Sequence, residues 1–200
     1  MIKNIIFDLG NVLISFKPSK YFDNRKYPEN IKAKILSDIF GSKEWLMLDN
    51  GEINTSEAID AIALKSSLKK EEIAHIFNLR TDMMFPIDEN VRLLPELKNR
   101  DYRLFFLSNF PIDIFEEVKT GYYFFKYFDG GIISSEAKCS KPDKKIYEIL
   151  LARYSLVPQE CLFIDDIEIN TQAAEALGII GLVTFGSQEI SGIIEKALTL

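Results

Sequence analysis

Short polar signatures interrupt the apolar runs of this 200-residue chain: Asp8 after Ile5-Ile6-Phe7, Ser108-Asn109 after RLFFL, Lys141 in SKPDKK, and Asp165-Asp166 after CLFI. Three carboxylates gathered in one pocket repel one another unless a cation sits among them, and carboxylates with backbone carbonyls and waters suit a hard, octahedral ion such as magnesium. Magnesium draws phosphate. Lys141 adds positive charge, and Ser108 with the N–H groups of the segment after it offers donors to phosphoryl oxygens. These are the parts for in-line phosphoryl transfer to a carboxylate, giving an aspartyl phosphate that water then hydrolyses. Taken singly, each residue has an ordinary role: an aspartate after a strand forms turns, Ser-Asn caps orphan amides, and a lysine before proline opens a helix. Chemistry requires that they meet.

The elements around them would bring that about. Short apolar runs at 5–7, 103–107, 131–133, 161–164 and 180–185 lack the alternation of a half-exposed strand and suit strands buried on both faces of a parallel sheet. Amphipathic stretches at 89–99, 142–154 and 171–177 read as helices, the second opened by Pro142 and the third closed by Gly178. Strand alternating with helix predicts an α/β fold, a doubly wound parallel sheet whose ligand crevice lies outside the carboxyl ends of its strands. The interval 16–85 differs: helical patterns at 30–40 and 56–64 start from turn signals, and no convincing strand appears. A small all-helical domain inserted after the first strand is expected there, with 1–15 and 86–200 forming the core.

Charge and composition narrow the partners. A net charge of −6 leaves no basic footprint for nucleic acid, and the lysine-rich stretch 65–70 reads as a solvated loop. Two cysteines, Cys139 and Cys161, are too few and too far apart for a disulfide framework and fit a reducing, cytoplasmic setting. No signal-peptide core and no apolar run of about 18 residues points to a membrane. Oligomeric state is left open.

In this order and on these elements, FDLGNV, FFLSN, SKPDKKIY and LFIDD resemble the four motifs of the haloacid dehalogenase-like hydrolase superfamily, in its phosphatase branch, over essentially the whole chain. The forms FDLGNV, Asn50-Gly51-Glu52-Ile53 and SKPDKKIY are similar to bacterial α-D-glucose-1-phosphate phosphatases. The resemblance implies a Rossmann-like core with a helical cap and a small phosphorylated substrate. It makes Asp8 the nucleophile and Lys141 its catalytic partner. Asp8, the Gly10 carbonyl and Asp166 would hold magnesium with Asp165 assisting through water, and Ser108, Asn109 and Lys141 would hold phosphate.

One departure matters. The superfamily's usual first motif is Asp-x-Asp, whose second aspartate protonates the leaving group; here Gly10 takes that place. A missing general acid forfeits about 10²- to 10⁴-fold in rate. The loss shrinks for an easily departing group, which favours an anomeric sugar phosphate such as glucose 1-phosphate, or an acyl or aryl phosphate. Glu52 and His75 are cap candidates for the acid, although His75 sits among apolar neighbours as a structural residue would. Rival readings are a metal-independent 2-haloacid dehalogenase, which has no need of Asp165-Asp166, and a non-catalytic phospholigand-binding protein. Asn170 either ligates through water or caps the helix at Thr171. Phe16, Tyr21, Phe22 and Trp45 read as core.

Overall fold

The computed structural model describes residues 1–184 and 190–198. In chain order its elements are β1 (Asn4–Phe7), β2 (Ile14–Phe16), α1 (Pro18–Asn24), α2 (Glu29–Ile35), α3 (Lys43–Asp49), α4 (Thr55–Ala63) and α5 (Lys70–Asn78). There follow β3 (Met84–Pro86), α6 (Asp88–Val91), α7 (Leu93–Asn99), β4 (Arg103–Ser108), α8 (Ile112–Gly121), β5 (Gly130–Ile133) and α9 (Ser134–Ala137). The last are α10 (Lys144–Tyr154), β6 (Cys161–Asp165), α11 (Glu168–Glu175), β7 (Ile180–Val183) and α12 (Ser191–Leu198).

Five strands form one parallel sheet in the order β5-β4-β1-β6-β7. Side chains alternate between its faces, so the apolar runs feed two cores. Ile5, Phe7, Leu104, Phe106, Leu162 and Ile164 pack on α7, α8 and α12, whereas Ile6, Phe105, Leu107 and Phe163 pack on Ile146, Tyr147 and Leu150 of α10 and Ala174 of α11. Each fully buried Leu, Ile or Phe contributes roughly 1.5–3 kcal/mol. Register then aligns the strand ends: Phe7 lies opposite both Phe106 and Ile164, Ser108 opposite Ile133, and Asp165 opposite Val183. Asp8, Ser108-Asn109 and Asp165-Asp166 therefore leave the sheet along one edge, where the strand order reverses around β1.

Between β2 and β3 lie α1 to α5, built on a third apolar cluster that includes Tyr21, Phe22, Ile39, Ile62 and Phe77. The structure corrects the expectation that 16–85 holds no strand. Phe16 pairs with Met84 and Ser15 with Phe85 in a two-stranded antiparallel ribbon, so the positions 15/16 and 85/86 fall inside it. Three-residue strands are too short to show a period of two.

Three helices also differ from expectation. The stretch 89–99 breaks into α6 and α7 because Pro95, without an N–H, cannot bond the Val91 carbonyl and its ring crowds that carbonyl. Pro142 does not open α10; its peptide bond with Lys141 is cis, and Asp143 caps the helix by accepting the Lys145 N–H at 2.9 Å. The third helix starts at Glu168, so Asn170 lies inside it rather than at its cap, and it ends as expected before Gly178 at φ +86°. Phe185, the end of the fifth apolar run, lies outside the described residues. Among the described residues no helix is long and apolar enough to cross a membrane.

Candidate active site

The strand tips converge. Asp8 follows β1 and is anchored by its N–H to the Ile164 carbonyl at 2.8 Å. Lys141, in the loop between α9 and α10, reaches back so that its Nζ lies 2.8 Å from Asp8 Oδ1 and 2.6 Å from Asp165 Oδ2. Asp8, Lys141, Asp165 and Ser108 are all buried, while Asp166 and Gly10 stay partly open at the rim. Asp165 is held on both oxygens: Oδ1 accepts the Ile167 N–H at 2.8 Å, and Asn170 Nδ2 donates to Oδ1 and Oδ2 at 3.0 and 3.1 Å. Asn170 thus acts on Asp165 from within α11, neither as a cap nor as a free amide. Asn109 turns its side chain to the backbone of Lys141, accepting its N–H at 2.9 Å and donating to its carbonyl at 3.0 Å. This reciprocal pair fixes the lysine's main chain, and the second Nδ2 proton is the one that remains for a ligand.

Crowded charge marks the site. Burial pushes the Asp8 carboxyl up to about 6, with Asp165 adding to the rise and Lys141 and Ser108 restraining it. Burial works against the Lys141 ammonium, but Asp8 and Asp165 outweigh it and hold its pKa above the ordinary lysine value. Asp166 is also raised, by burial and then by Asp165, against a hydrogen bond from Asn11 and the pull of Lys141. One oxygen from each of Asp8, Asp165 and Asp166 falls within 4.8 Å of the others. Three carboxylates against one ammonium leave two negative charges, which a divalent cation would balance. The oxygen donors suit a hard cation, and the Gly10 position is open, since a Cβ there would meet only Asp8 Oδ2 at 3.7 Å.

A family description, hydrolase: haloacid dehalogenase-like hydrolase, matches residues 2–178. The chain belongs to the haloacid dehalogenase-like hydrolases. Among curated relatives, the sesquiterpene phosphatase astK of Aspergillus oryzae is 29% identical over 180 residues, covering 90% of this chain and 88% of that protein. A phosphorylated carbohydrates phosphatase of Thermotoga maritima is 24% identical over 179 residues, covering 88% of this chain and 81% of its own. A family enzyme of Bacteroides thetaiotaomicron, solved in complex with magnesium and inorganic phosphate, superposes with a TM-score of 0.76 at 25% identity, covering 96% of this chain and 99% of that one.

Of the remaining candidates of this hydrolase, Glu52 lines a cleft with Ile53, Pro111, Ile112 and Ser135. His75 is exposed on α5 beside a surface cleft with Tyr27, Ile31 and Leu68, and Glu52 is exposed and accepts from Asn50 Nδ2 at 2.9 Å. Tyr21 and Phe22 are buried in the helical cluster, whereas Phe16 and Trp45 stay partly exposed and stack at 6.1 Å. Both cysteines are free and buried; burial raises the Cys139 thiol and pushes Cys161 up to about 11, so neither is a thiolate near neutrality. Sequence reasoning missed a seam where the helical segment meets the sheet. Arg80 is buried, stacks over Phe77, and pairs through Nη2 with Asp113 of α8 at 3.1 Å, while Thr55 donates to the same Asp113 oxygen at 2.6 Å. The burial of Arg80 is not legible in sequence because its partners Asp113 and Thr55 lie 33 and 25 positions away.

Proposed function

We propose that this hydrolase is a magnesium-dependent phosphatase that cleaves a small phosphate monoester, a sugar phosphate such as glucose 1-phosphate, through an aspartyl phosphate on Asp8. The convergence of Asp8, Lys141, Asp165 and Asp166 with two negative charges in excess carries this reading, because such a site takes a divalent cation and, through it, an anion. Phosphatase names among the relatives and the magnesium and phosphate in the Bacteroides enzyme support it. Asp8 attacks phosphorus. Lys141, Ser108 and the Asn109 amide hold the phosphoryl oxygens, with Asn109 also fixing the Lys141 backbone. Asp8, the Gly10 carbonyl and Asp166 hold the metal, and Asp165 acts mainly as the counter-ion that aims Lys141. When bound, the metal adds positive charge where the transferring phosphoryl group carries negative charge. Residues 16–85 form a cap over the core of 1–15 and 86–200, in a cytoplasmic protein. A dehalogenase would leave the paired acids after β6 without work.

Phosphate release separates the readings. With magnesium, sugar phosphates and p-nitrophenyl phosphate are expected to release phosphate; a chelator is expected to stop it and re-added magnesium to restore it. Magnesium at about 100 times its Kd is expected to stabilise the fold by roughly 2.7 kcal/mol in thermal melts. Halide release from 2-chloropropionate without metal would establish the dehalogenase instead, and neither product would leave a binding protein.

A further inference from the structure

The helical segment α1 to α5 meets the sheet without a common core. Its apolar cluster and the two that line the sheet share no buried side chain, and among the half-buried ones only Phe16 of the ribbon packs on both sides. Beyond the ribbon the contact is polar. Ser134 Oγ, at the start of α9, donates to the Asp49 carbonyl at the end of α3, and Lys138 Nζ donates to the Gly51 carbonyl at 2.5 Å. Gly51 holds φ +64°, and a Cβ there would stand 2.4 Å from the Ser135 carbonyl oxygen, so the two backbones touch where only glycine fits. A seam made of hydrogen bonds rather than buried apolar area separates at modest cost, because water replaces each bond that breaks.

One ion pair crosses this seam among the described residues. Asp113 Oδ2, in the first turn of α8, accepts from Arg80 Nη2 at 3.1 Å and from the Thr55 hydroxyl at 2.6 Å. Both donors belong to the helical segment, Thr55 at the start of α4 and Arg80 just past α5. Arg80 is fixed to its own side: Nε donates to the Phe77 carbonyl at 2.8 Å, the guanidinium lies 4.8 Å over the Phe77 ring, and Nη2 also reaches Thr55 Oγ1 at 3.2 Å. Asp113 is thus the one member of the cluster that the core supplies. The arginine is 4% exposed, and its Nη1 is buried with no acceptor. Burial works against the guanidinium and lowers its pKa, with Asp113 the strongest opposing charge and Glu117 and Asp49 behind it.

We propose that Asp113 is a latch: by pairing with Arg80 it keeps the helical segment closed on the sheet, and loss of that contact opens the seam. The balance is close. Closed, the seam buries a cation with an idle N–H group; open, water reaches it, so a single carboxylate decides which state holds. The latch bears on the candidate site through its neighbours in the chain. Pro111 and Ile112, directly before Asp113, line a cleft of about 510 Å³ with Leu48, Glu52 and Lys138, so its walls come from both sides of the seam and part when the seam opens. Phe110 is clamped, Ser134 Oγ accepting its N–H at 2.9 Å and Ser135 Oγ donating to its carbonyl at 2.7 Å, and it directly follows Ser108-Asn109. Closure therefore sets how tightly a substrate is held, and leaves the attack at Asp8 to the strand tips. The effect on turnover rests on the phosphatase reading; the seam itself does not.

Hydrogen–deuterium exchange of chelator-treated protein tests the latch without turnover. Asp113→Asn keeps the size of the side chain and removes its charge. Exchange at 47–57 and 108–115, the two sides of the seam, is expected to quicken about 10-fold in this variant, while β1, β4 and β6 stay within about 2-fold of wild type. Thr55→Val, which removes one donor and leaves the ion pair, is expected to quicken the same peptides about 3-fold. With magnesium and p-nitrophenyl phosphate, Asp113→Asn is expected to raise KM about 10-fold and to change kcat less than about 3-fold, because binding must then supply the closure that the latch supplied. Unchanged exchange at the seam would overturn the latch. So would a rise shared equally by β1 and β4, which marks a general stabiliser, or a fall in kcat at constant KM. A wild type inactive on every ester would remove the phosphatase reading, and the exchange result would still decide the latch.

Discussion

Asp8→Asn is expected to lower phosphate release by about 10⁴-fold or more and to leave the metal-free fold no less stable than wild type. The amide does not attack phosphorus, and the loss falls on every ester because each must pass through the same bond. Stability follows from the charges. Asp8 is buried with its pKa raised to about 6, above the 3.8 of an unfolded aspartate. Between those values the folded state holds a proton that the unfolded state has released. Ionising Asp8 therefore costs stability as pH rises from about 4 to 6, and the cost remains above 6. Removing the charge relieves a penalty of order 2–3 kcal/mol, in which the Lys141 attraction is already counted. Melts of chelator-treated protein at pH 5 and pH 8, beside phosphate assays with magnesium, check both halves. Undiminished release would end the nucleophile assignment, and a large drop in melting temperature at pH 8 would mean that Asp8 is net stabilising and that the crowding is misjudged.

The parts of this site that were legible in sequence share one physical signature. A strand buried on both faces must be apolar, so the first polar residue after it marks the strand's end, and in a parallel sheet all such ends point the same way. Asp8, Ser108 and Asp165-Asp166 announce themselves in this manner, and Lys141 stands out by its place at the turn before a helix. What holds them was not legible. Asn170 grips Asp165 from five residues on, Asn109 grips Lys141 across 32 positions, and Ser134 joins Asp49 across 85. No period or cap pattern encodes such pairs, because each arises only once the sheet is assembled.

The ribbon of β2 and β3 and the break between α6 and α7 were lost for different reasons. The ribbon pairs residues about 70 positions apart over three-residue strands, so neither local pattern nor proximity reveals it. The break at Arg92 was visible in Pro95, whose effect falls on the carbonyl four residues earlier, and the apolar periodicity of 89–99 masked it. The ribbon has a consequence for function. It ties the helical segment α1 to α5 to the turn carrying Gly10 and Asn11, where Asn11 Oδ1 accepts the Phe16 N–H at 3.2 Å and the Asn11 side chain hydrogen-bonds Asp166. The ribbon and the Asp166 carboxylate therefore share one asparagine.

Lys141→Met carries the second large effect, and here activity and stability fall together. The lysine is the only cation within bonding distance of Asp8 and Asp165 among the described residues, at 2.8 and 2.6 Å. Removing it leaves two buried carboxylates facing each other, and breaking a buried pair in this way costs about 3–5 kcal/mol. Without the ammonium the Asp8 carboxyl, already raised by burial and by Asp165, is pushed higher still in the fold, so the folded state holds that proton over a wider range than the unfolded one and stability falls further as pH rises. The deficit relative to wild type should be smaller near pH 4, where Asp8 is protonated in the fold of both proteins, and largest above pH 7. Turnover is expected to fall about 10²- to 10³-fold, the usual loss when one charge-stabilising donor leaves an enclosed site. Melts from pH 4 to pH 8 with chelator or with magnesium check the first claim. Magnesium should restore more stability to the variant than to wild type, because it is then the sole cation among the acids. A deficit that does not change with pH would mean that the lysine's packing, including its place 5.4 Å from the Phe163 ring, outweighs its charge.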